Sequence, residues 1–375
     1  MNVKVCLVSP EIFSGGYHGG FGFVTRTLGS GLVQRGVDVS VVTVRRGTQE
    51  EFEEIDGMNV HAFSTQGRGP RALRALLSRL SSLGYYRRVD ADVYHSQAVS
   101  YNTYAAQRAV PGKKHVITFQ DPFDLHEWAR LSEADPKIKI TIPFRAGLLF
   151  ENALLSWACR GADALYAQAR FLIPKVQGLY HPRGRVSLLP NPVQVPTRRM
   201  RKGSAPTVCF LGRWDPQKRV ERFLELASLL PEVEFVAMGL GHDPEADARL
   251  RERYGGISNL HLTGFVSEEE KSRILEESWA LVNTSVREAL PVSFLEALAH
   301  ETPIICGENP DGLASAYGYH VTDGDYAGAL RSMLGEEDWL ERGRRGRRYV
   351  EENHEAGDVV ERHIEIYRGL LDPHS

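Results

Sequence analysis

The sequence predicts an α/β protein made of two Rossmann-like domains that face each other across a cleft. Three observations carry that expectation. Short β-branched runs alternate with longer helical patterns along most of the 375 residues, the rhythm of parallel sheets with crossover helices. The runs show little polar alternation, as strands covered on both faces do. One stretch, Pro190–Pro206, interrupts the rhythm with four prolines and a basic cluster, after which it restarts.

In chain order, strands are expected at "VKVCLVS", "DVSVVTV", "NVHAFS", "DVYHSQ", "KHVITFQ", "ADALYAQA" and "VSLLPN", with helices between most of them, including Phe23–Gln34 and Arg145–Cys159. Residues 1–192 form the first domain and 193–204 the linker. The second domain, 205–355, has strands at "TVCFLG", "VEFVAMG", "LHLTGF", "ALVNTS" and "TPIICG". A capping box, Ser267 to Glu270, opens the helix after "GFV". The charged stretch from about Asp338 to Leu371 is helical, and its "ERGRRGRR" is a solvated face.

Composition narrows the function. Apolar residues at 42% and charged residues at 25% suit a globular protein, and a net charge of -3 excludes a nucleic-acid-binding polycation. No apolar run approaches the roughly 20 residues of a membrane span, so the expectation is a cytoplasmic protein. The four cysteines are far apart, without a C-x-x-C pair, and read as reduced core thiols. A basic amphipathic stretch, Gly67–Arg88, leaves room for a weak peripheral contact with the cytoplasmic face of a membrane, although an ordinary crossover helix is the simpler account.

Ligands of open parallel sheets sit beyond the carboxyl ends of the strands, so the strand-end loops hold the candidates. After the first strand, "SPEIFSGGYHGGFGF" carries five glycines, Gly19 and Gly20 among them, just before a helix. Such glycines let backbone N–H groups approach an anion. The spacing is not G-x-G-x-x-G, which argues against a nicotinamide dehydrogenase, and no Walker lysine follows. In "LGRWDPQKRVERF", Arg213 and Lys218 precede a helix, a pair suited to a diphosphate. In "TSVREALPVSFLEALAHETPII", Pro291 fits the first turn of a helix, Glu288 lies in the loop before it and Glu296 inside it. Two carboxylates bracketing a helix N-terminus suit the hydroxyls of a sugar and the diol of a ribose. "ITFQDPFDLHEW" places Gln120, Asp121, Asp124 and His126 after another strand, where an Asx-capped turn is the structural alternative. His95 also ends a strand and reads as a structural residue.

Together these motifs resemble the retaining, nucleotide-sugar-dependent glycosyltransferases of family 4, on the GT-B fold. The E-x7-E pair Glu288 and Glu296, the Gly212, Arg213 and Lys218 element, the pair Gly19 and Gly20, and Asn191 in "LLPNPV" carry the resemblance, which covers nearly the whole chain. It implies that Gly19, Gly20, Arg213, Lys218 and the backbone at Leu290 and Val292 hold the donor diphosphate. It implies that Glu288 holds the donor sugar, Glu296 the ribose, and Gly264, Phe265 and Val266 the base. The last helix, about 356–372, would return to the first domain. The chain departs from the family at Gln120, where a histidine is usual, at "EALP" in place of "EGFG", and at Arg219, where a glycine follows the lysine.

The function expected is transfer of a sugar from a UDP-, GDP- or ADP-linked donor to a glycan, lipid or small-molecule hydroxyl, with retention. Glu288, Arg213, Lys218 and Gln120 are the catalytic candidates; Asp121 and His126 lie on the acceptor side. No cofactor and no obligatory metal are expected, because two fixed cations can neutralise the leaving diphosphate. A nucleotide-sugar-binding protein or an epimerase on the same fold is the alternative.

Overall fold

The computed structural model describes residues 3–13, 19–65, 81–336 and 338–372. Gly15 and Gly16 of the first loop, and residues 67–80 of the basic stretch, lie outside them.

The chain divides into two compact units: Met1–Leu125 with Ile140–Pro192 and Ala356–Ser375, and His126–Lys139 with Val193–Glu355. The first is built on an eight-stranded sheet. Its strands are β1 Lys4–Val8, β2 Asp38–Val44, β3 Phe52–Ile55, β4 Met58–Phe63, β5 Val93–Ser96, β6 Lys114–Phe119, β7 Ala164–Ala167 and β8 Val186–Leu188, in the spatial order β3-β4-β2-β1-β5-β6-β7-β8. All neighbours are parallel except β3 and β4. The second unit holds a parallel six-stranded sheet of β9 Thr207–Leu211, β10 Glu234–Met238, β11 Leu260–Gly264, β12 Ala280–Asn283, β13 Ile304–Cys306 and β14 Gly318–His320, ordered β11-β10-β9-β12-β13-β14. Each sheet is a doubly wound α/β sheet. Its strand order reverses at β1, between β2 and β5, and at β9, between β10 and β12. These reversals place the loops after β9 and β12 side by side.

Two strands escape the pattern of expected runs. β3 forms a hairpin with β4 through Asp56 and Gly57, both at positive φ (51° and 79°). An Asp-Gly pair in a two-residue turn is the sequence signal for it. β14 is only three residues long and has no such signal. The capping box is half realised: Ser267 Oγ accepts from the Glu270 N–H at 3.1 Å, but the Glu270 carboxylate turns outward to Arg273. The C-terminal stretch is two helices, Trp339–His354 and Ala356–Leu371, broken at Glu355. Its basic run is not all solvated. A Cβ on Gly343 would lie 2.1 Å from the Glu301 carbonyl, so the missing side chain lets this helix approach the end of the helix Val292–Ala299.

The stretch expected to be a linker is docked on the second unit. Lys202 buries its Nζ against the carbonyls of Ser278 and His300 (both 2.9 Å) and Thr302 Oγ1 (2.6 Å), and the Gly203 N–H donates to the Glu277 carbonyl. Burial pushes the Lys202 ammonium down to about 7. Composition marked the break in rhythm, but the lysine found helix-end carbonyls to bind. His126–Lys139, placed by its sequence position in the first domain, belongs to the second unit.

His95 is a core residue. Its two ring nitrogens meet Tyr367 Oη and Thr118 Oγ1, each at 2.7 Å, and its ring lies 5.5 Å from that of His363. His363 and Tyr367 lie on the last helix, which this contact joins to the sheet of the first unit. The four cysteines are buried, and burial raises all four thiols, Cys209 to about 11. Of the basic stretch, Arg87 donates to the Ala109 carbonyl and Arg88 stacks over Phe52 and Tyr85. No helix among the described residues is long and apolar enough to cross a membrane.

Two outcomes follow. Burial holds His95 well below its ordinary value and His363 at about 4, against 6.5 when unfolded. The unfolded chain therefore binds more protons than the fold between pH 6.5 and 4, and stability falls with pH through that window, by about 1.4 kcal/mol per pH unit for each histidine. Urea titrations between pH 7 and 4.5 should show this slope, and His363→Gln should remove about one proton from it; an unchanged slope would contradict the assignment. Separately, Gly239 has φ 130°, and a Cβ there would sit 1.9 Å from the Gly212 carbonyl oxygen. Gly239→Ala should cost more than about 2 kcal/mol through strain and overpacking, whereas Gly256→Ala, with nothing within 4 Å, should leave the urea midpoint nearly unmoved.

Candidate functional site

The second sheet assembles the charged loops. Because β9 and β12 pair, Gly212–Arg219 and Thr284–Pro291 emerge as neighbours. They are stitched together: the Val286 N–H donates to the Gln217 carbonyl (2.9 Å), Gln217 Nε2 to the Arg287 carbonyl (3.1 Å), and Thr284 Oγ1 to the carbonyls of Lys218 and Arg219 (both 2.9 Å). Asp215 forms the turn that starts the next helix, its Oδ1 accepting from the Lys218 N–H at 3.1 Å. Arg219 then takes a left-handed conformation, φ 47°. A glycine would adopt it without strain, which accounts for the expectation of one there.

Glu288 is the centre of the cluster. Lys218 Nζ (2.5 Å), Ser285 Oγ (2.6 Å) and Asn283 Nδ2 (3.0 Å) all donate to its Oε1. Its Oε2 has no partner among the described residues. Burial works against the charge, but the Lys218 ammonium and the hydrogen bonds from Ser285 and Asn283 outweigh it, holding the carboxyl below the ordinary range. Glu288 is thus an ionised, oriented carboxylate with one oxygen anchored and the other available to accept. Sequence reasoning found Glu288 and Lys218 but missed Asn283 and Ser285; their place at the end of β12 was the one cue.

The cations are less free than their sequence suggests. Lys218 shares its charge with Glu288. Arg213 reaches Asp215 (3.3 Å) and donates to His242 Nε2 (3.0 Å), remaining 39% exposed. Two positive and two negative side chains therefore balance, so the site is not the simple positive pocket that Arg213 and Lys218 alone imply.

Pro291 is the N-cap of the helix Val292–Ala299, one position earlier than expected, with φ -66° and ψ 134°. No side chain caps this N-terminus, and Leu290 is buried beside it. Glu296, inside the helix, pairs with Lys271 at 2.6 Å. Burial pushes the Glu296 carboxyl up, aided by nearby Glu268, against the pull of Lys271. Burial also opposes the Lys271 charge, but Glu296 and Glu268 together outweigh it. Lys271 was not legible as a site residue, because a lysine after a capping box looks like a surface residue. At the end of β11, Gly264 (φ 76°) turns the chain, Phe265 is 49% exposed and Val266 follows.

In the first unit, the expected anion loop already holds a carboxylate. Glu11 Oε1 accepts from the Gly22 N–H at 3.1 Å, and a Cβ on Gly19 would overlap that oxygen. The Gly22 N–H at the start of the helix Gly20–Gln34 is thus already taken by a carboxylate, while a Cβ on Gly20 would meet nothing within 4 Å. Gln120 is 5% exposed and its amide is closed in a reciprocal pair with Asn191, both bonds 2.7 Å. Gln168 joins the same network. This places the Gln120 side chain in a structural network, with its amide oxygen and one of its two amide N–H donors engaged by Asn191. Asp121 is half-buried in the first unit, and His126 is exposed in the second.

Two family models tile the chain: Glycosyltransferase Family 4 over residues 18–195 and Glycosyl transferases group 1 over residues 198–326. Solved structures share the fold at low identity. Sucrose-phosphate synthase from Thermosynechococcus elongatus has a TM-score of 0.75 at 16% identity, over 98% of this chain and 99% of that one. WaaG, a glycosyltransferase involved in lipopolysaccharide biosynthesis, has 0.71 at 17%, over 97% and 100%. HepE of Anabaena, in complex with UDP and glucose, has 0.69 at 13%, over 97% and 99%. The chain belongs to family 4 of the glycosyltransferases, on the GT-B fold.

Proposed function

We propose that the protein transfers a sugar from a nucleotide-diphospho-sugar to a hydroxyl acceptor, with retention at the anomeric carbon. The observation that carries this reading is Glu288, a buried ionised carboxylate whose Oε1 is anchored by three donors while Oε2 has no partner among the described residues. An oriented acceptor of that kind suits donor-sugar hydroxyls, and its negative charge favours positive charge building on the sugar ring.

The neighbouring groups suit the rest of the donor. Arg213, half exposed, can fork onto the diphosphate as its negative charge grows. Lys218 can turn from Glu288 towards the same oxygens, and the uncapped N-terminus beside Leu290 and Val292 adds backbone donors. Glu296, with Lys271, can hold the ribose diol, and exposed Phe265 beside Gly264 and Val266 offers a face for the base. The leaving phosphate oxygen takes the acceptor proton, so no protein base is required. The two cations carry the charge neutralisation, and no obligatory metal enters the scheme. Among fold relatives, HepE was solved with UDP-glucose and a starch synthase catalytic domain with ADP, so UDP and ADP donors come first.

A thermal-shift panel with UDP, GDP and ADP should show one nucleotide raising the melting temperature; at 100 times its dissociation constant a ligand adds about 2.7 kcal/mol. With the matching donor, Arg213→Ala should lower kcat by about 10²–10³. Unaltered turnover in that variant would remove the arginine from the leaving-group role. A donor epimerised without acceptor would replace transfer by epimerisation.

A further inference from the structure

Arg287, directly before Glu288, is 1% exposed, the largest fully buried side chain among the described residues. A buried guanidinium needs a counter-charge, and it finds one outside its own loop. Glu127 Oε1, on the helix Leu125–Ala134, lies 2.8 Å from Arg287 Nε. One turn further along, Arg130 donates to the Val286 carbonyl and pairs with Glu308, just after β13. This helix comes from the segment His126–Lys139, which interrupts the first unit in sequence and packs within the second.

The geometry points to a positioning role: Glu127 and Arg130 fix residues 286 and 287, and through them the aim of the Glu288 carboxylate. From the opposite side the same two residues are held by Gln217, whose carbonyl and side-chain amide bond Val286 and Arg287. Gln217 directly precedes Lys218. The backbone that carries Glu288 is therefore gripped between the Lys218 loop and the inserted helix. It cannot shift without breaking the ion pair between the buried Arg287 and the partly buried Glu127. An ordinary staple could bond anywhere on the unit; this one ends on the two residues before the carboxylate. The role rests on the donor-site reading of Glu288 and adds two residues remote from it in sequence to the machinery of transfer. Positioning errors near 1 Å can cost about 10²-fold in rate, so the clamp should act on kcat more than on donor KM.

The test uses the full chain with Glu127→Gln and Arg130→Met. The second side chain is 35% exposed and its loss leaves no buried charge on Arg287, so that variant keeps the test valid if Glu127→Gln does not fold. Hydrogen exchange is followed in a peptide spanning residues 284–291, with one spanning β9 as the internal standard. We expect exchange at Val286–Glu288 to rise about tenfold or more while β9 is unchanged, and kcat with UDP-glucose or ADP-glucose to fall about tenfold or more with KM within threefold. Unchanged exchange at 286–288 overturns the clamp. Raised exchange with unchanged kcat overturns its role in transfer. Should the parent protein turn over neither donor, the fault lies with the proposed donors, and exchange alone decides whether the clamp exists.

Discussion

The second unit is organised around keeping one carboxylate charged inside it. Glu288 loses most of its hydration, and an isolated buried carboxylate would take a proton instead. Three donors on a single oxygen prevent that: Lys218 from the loop after β9, and Asn283 and Ser285 from the end of β12. They converge because β9 and β12 are paired at the point where the sheet order reverses. A strand order that separated them would leave Lys218 and Glu288 each unpaired. The topology is thus a precondition of the electrostatics, and the close approach of Gly239 to Gly212 belongs to the same packing at the base of the loop.

Glu296 lies in the helix that follows, and its environment pushes it the other way. Glu288 is held below the ordinary carboxylate range and Glu296 is raised above it. Both are buried; the difference is the company. Glu288 has a lysine and two neutral donors on one oxygen. Glu296 has one lysine, itself shared with a second carboxylate, Glu268. Environments that push two carboxylates apart allow two roles within a short span of chain: one group is held as a fixed negative charge, while the other keeps its proton more readily than an ordinary carboxyl.

Much of the fold was legible in the sequence. Uninterrupted β-branched runs marked most strands, and the sheet registers follow them. β3 was missed although Asp56–Gly57 announces its turn, because "FEEI" is half charged and its exposed edge needs no apolar run. The site was legible where chemistry is local, as in the spacing of Glu288 and Glu296. It was opaque where partners come from distant segments. Lys271 reads as a surface cation until the fold places Glu296 beside it, and the pairing of the Gln120 amide with Asn191 has no local signal. The docked stretch 193–204 shows the same limit. Prolines and a basic cluster describe a connector, but composition cannot say that the carbonyls around Ser278 and His300 will collect Lys202.

The ion pair between Arg287 and Glu127 belongs to that opaque class, and its energetics say something about its purpose. Burying a charge such as the Arg287 guanidinium costs several kcal/mol, and well-packed apolar residues of similar volume often stabilise a fold as well or better. Stability alone therefore gives little reason for an arginine at a fully buried position of a loop. Placement does: the Arg287 guanidinium meets Glu127 at 2.8 Å, and Arg130 on the same helix bonds the Val286 carbonyl, so helix and loop are joined at the two residues before Glu288. Glu288 needs its backbone held in one place, because Lys218 reaches its carboxylate from the neighbouring loop and the two loops must keep their spacing. The ion pair on the preceding residue, together with the Arg130 bond to the Val286 carbonyl, supplies that constraint. It also lets a helix that interrupts the first unit in sequence enter the geometry of a loop in the second.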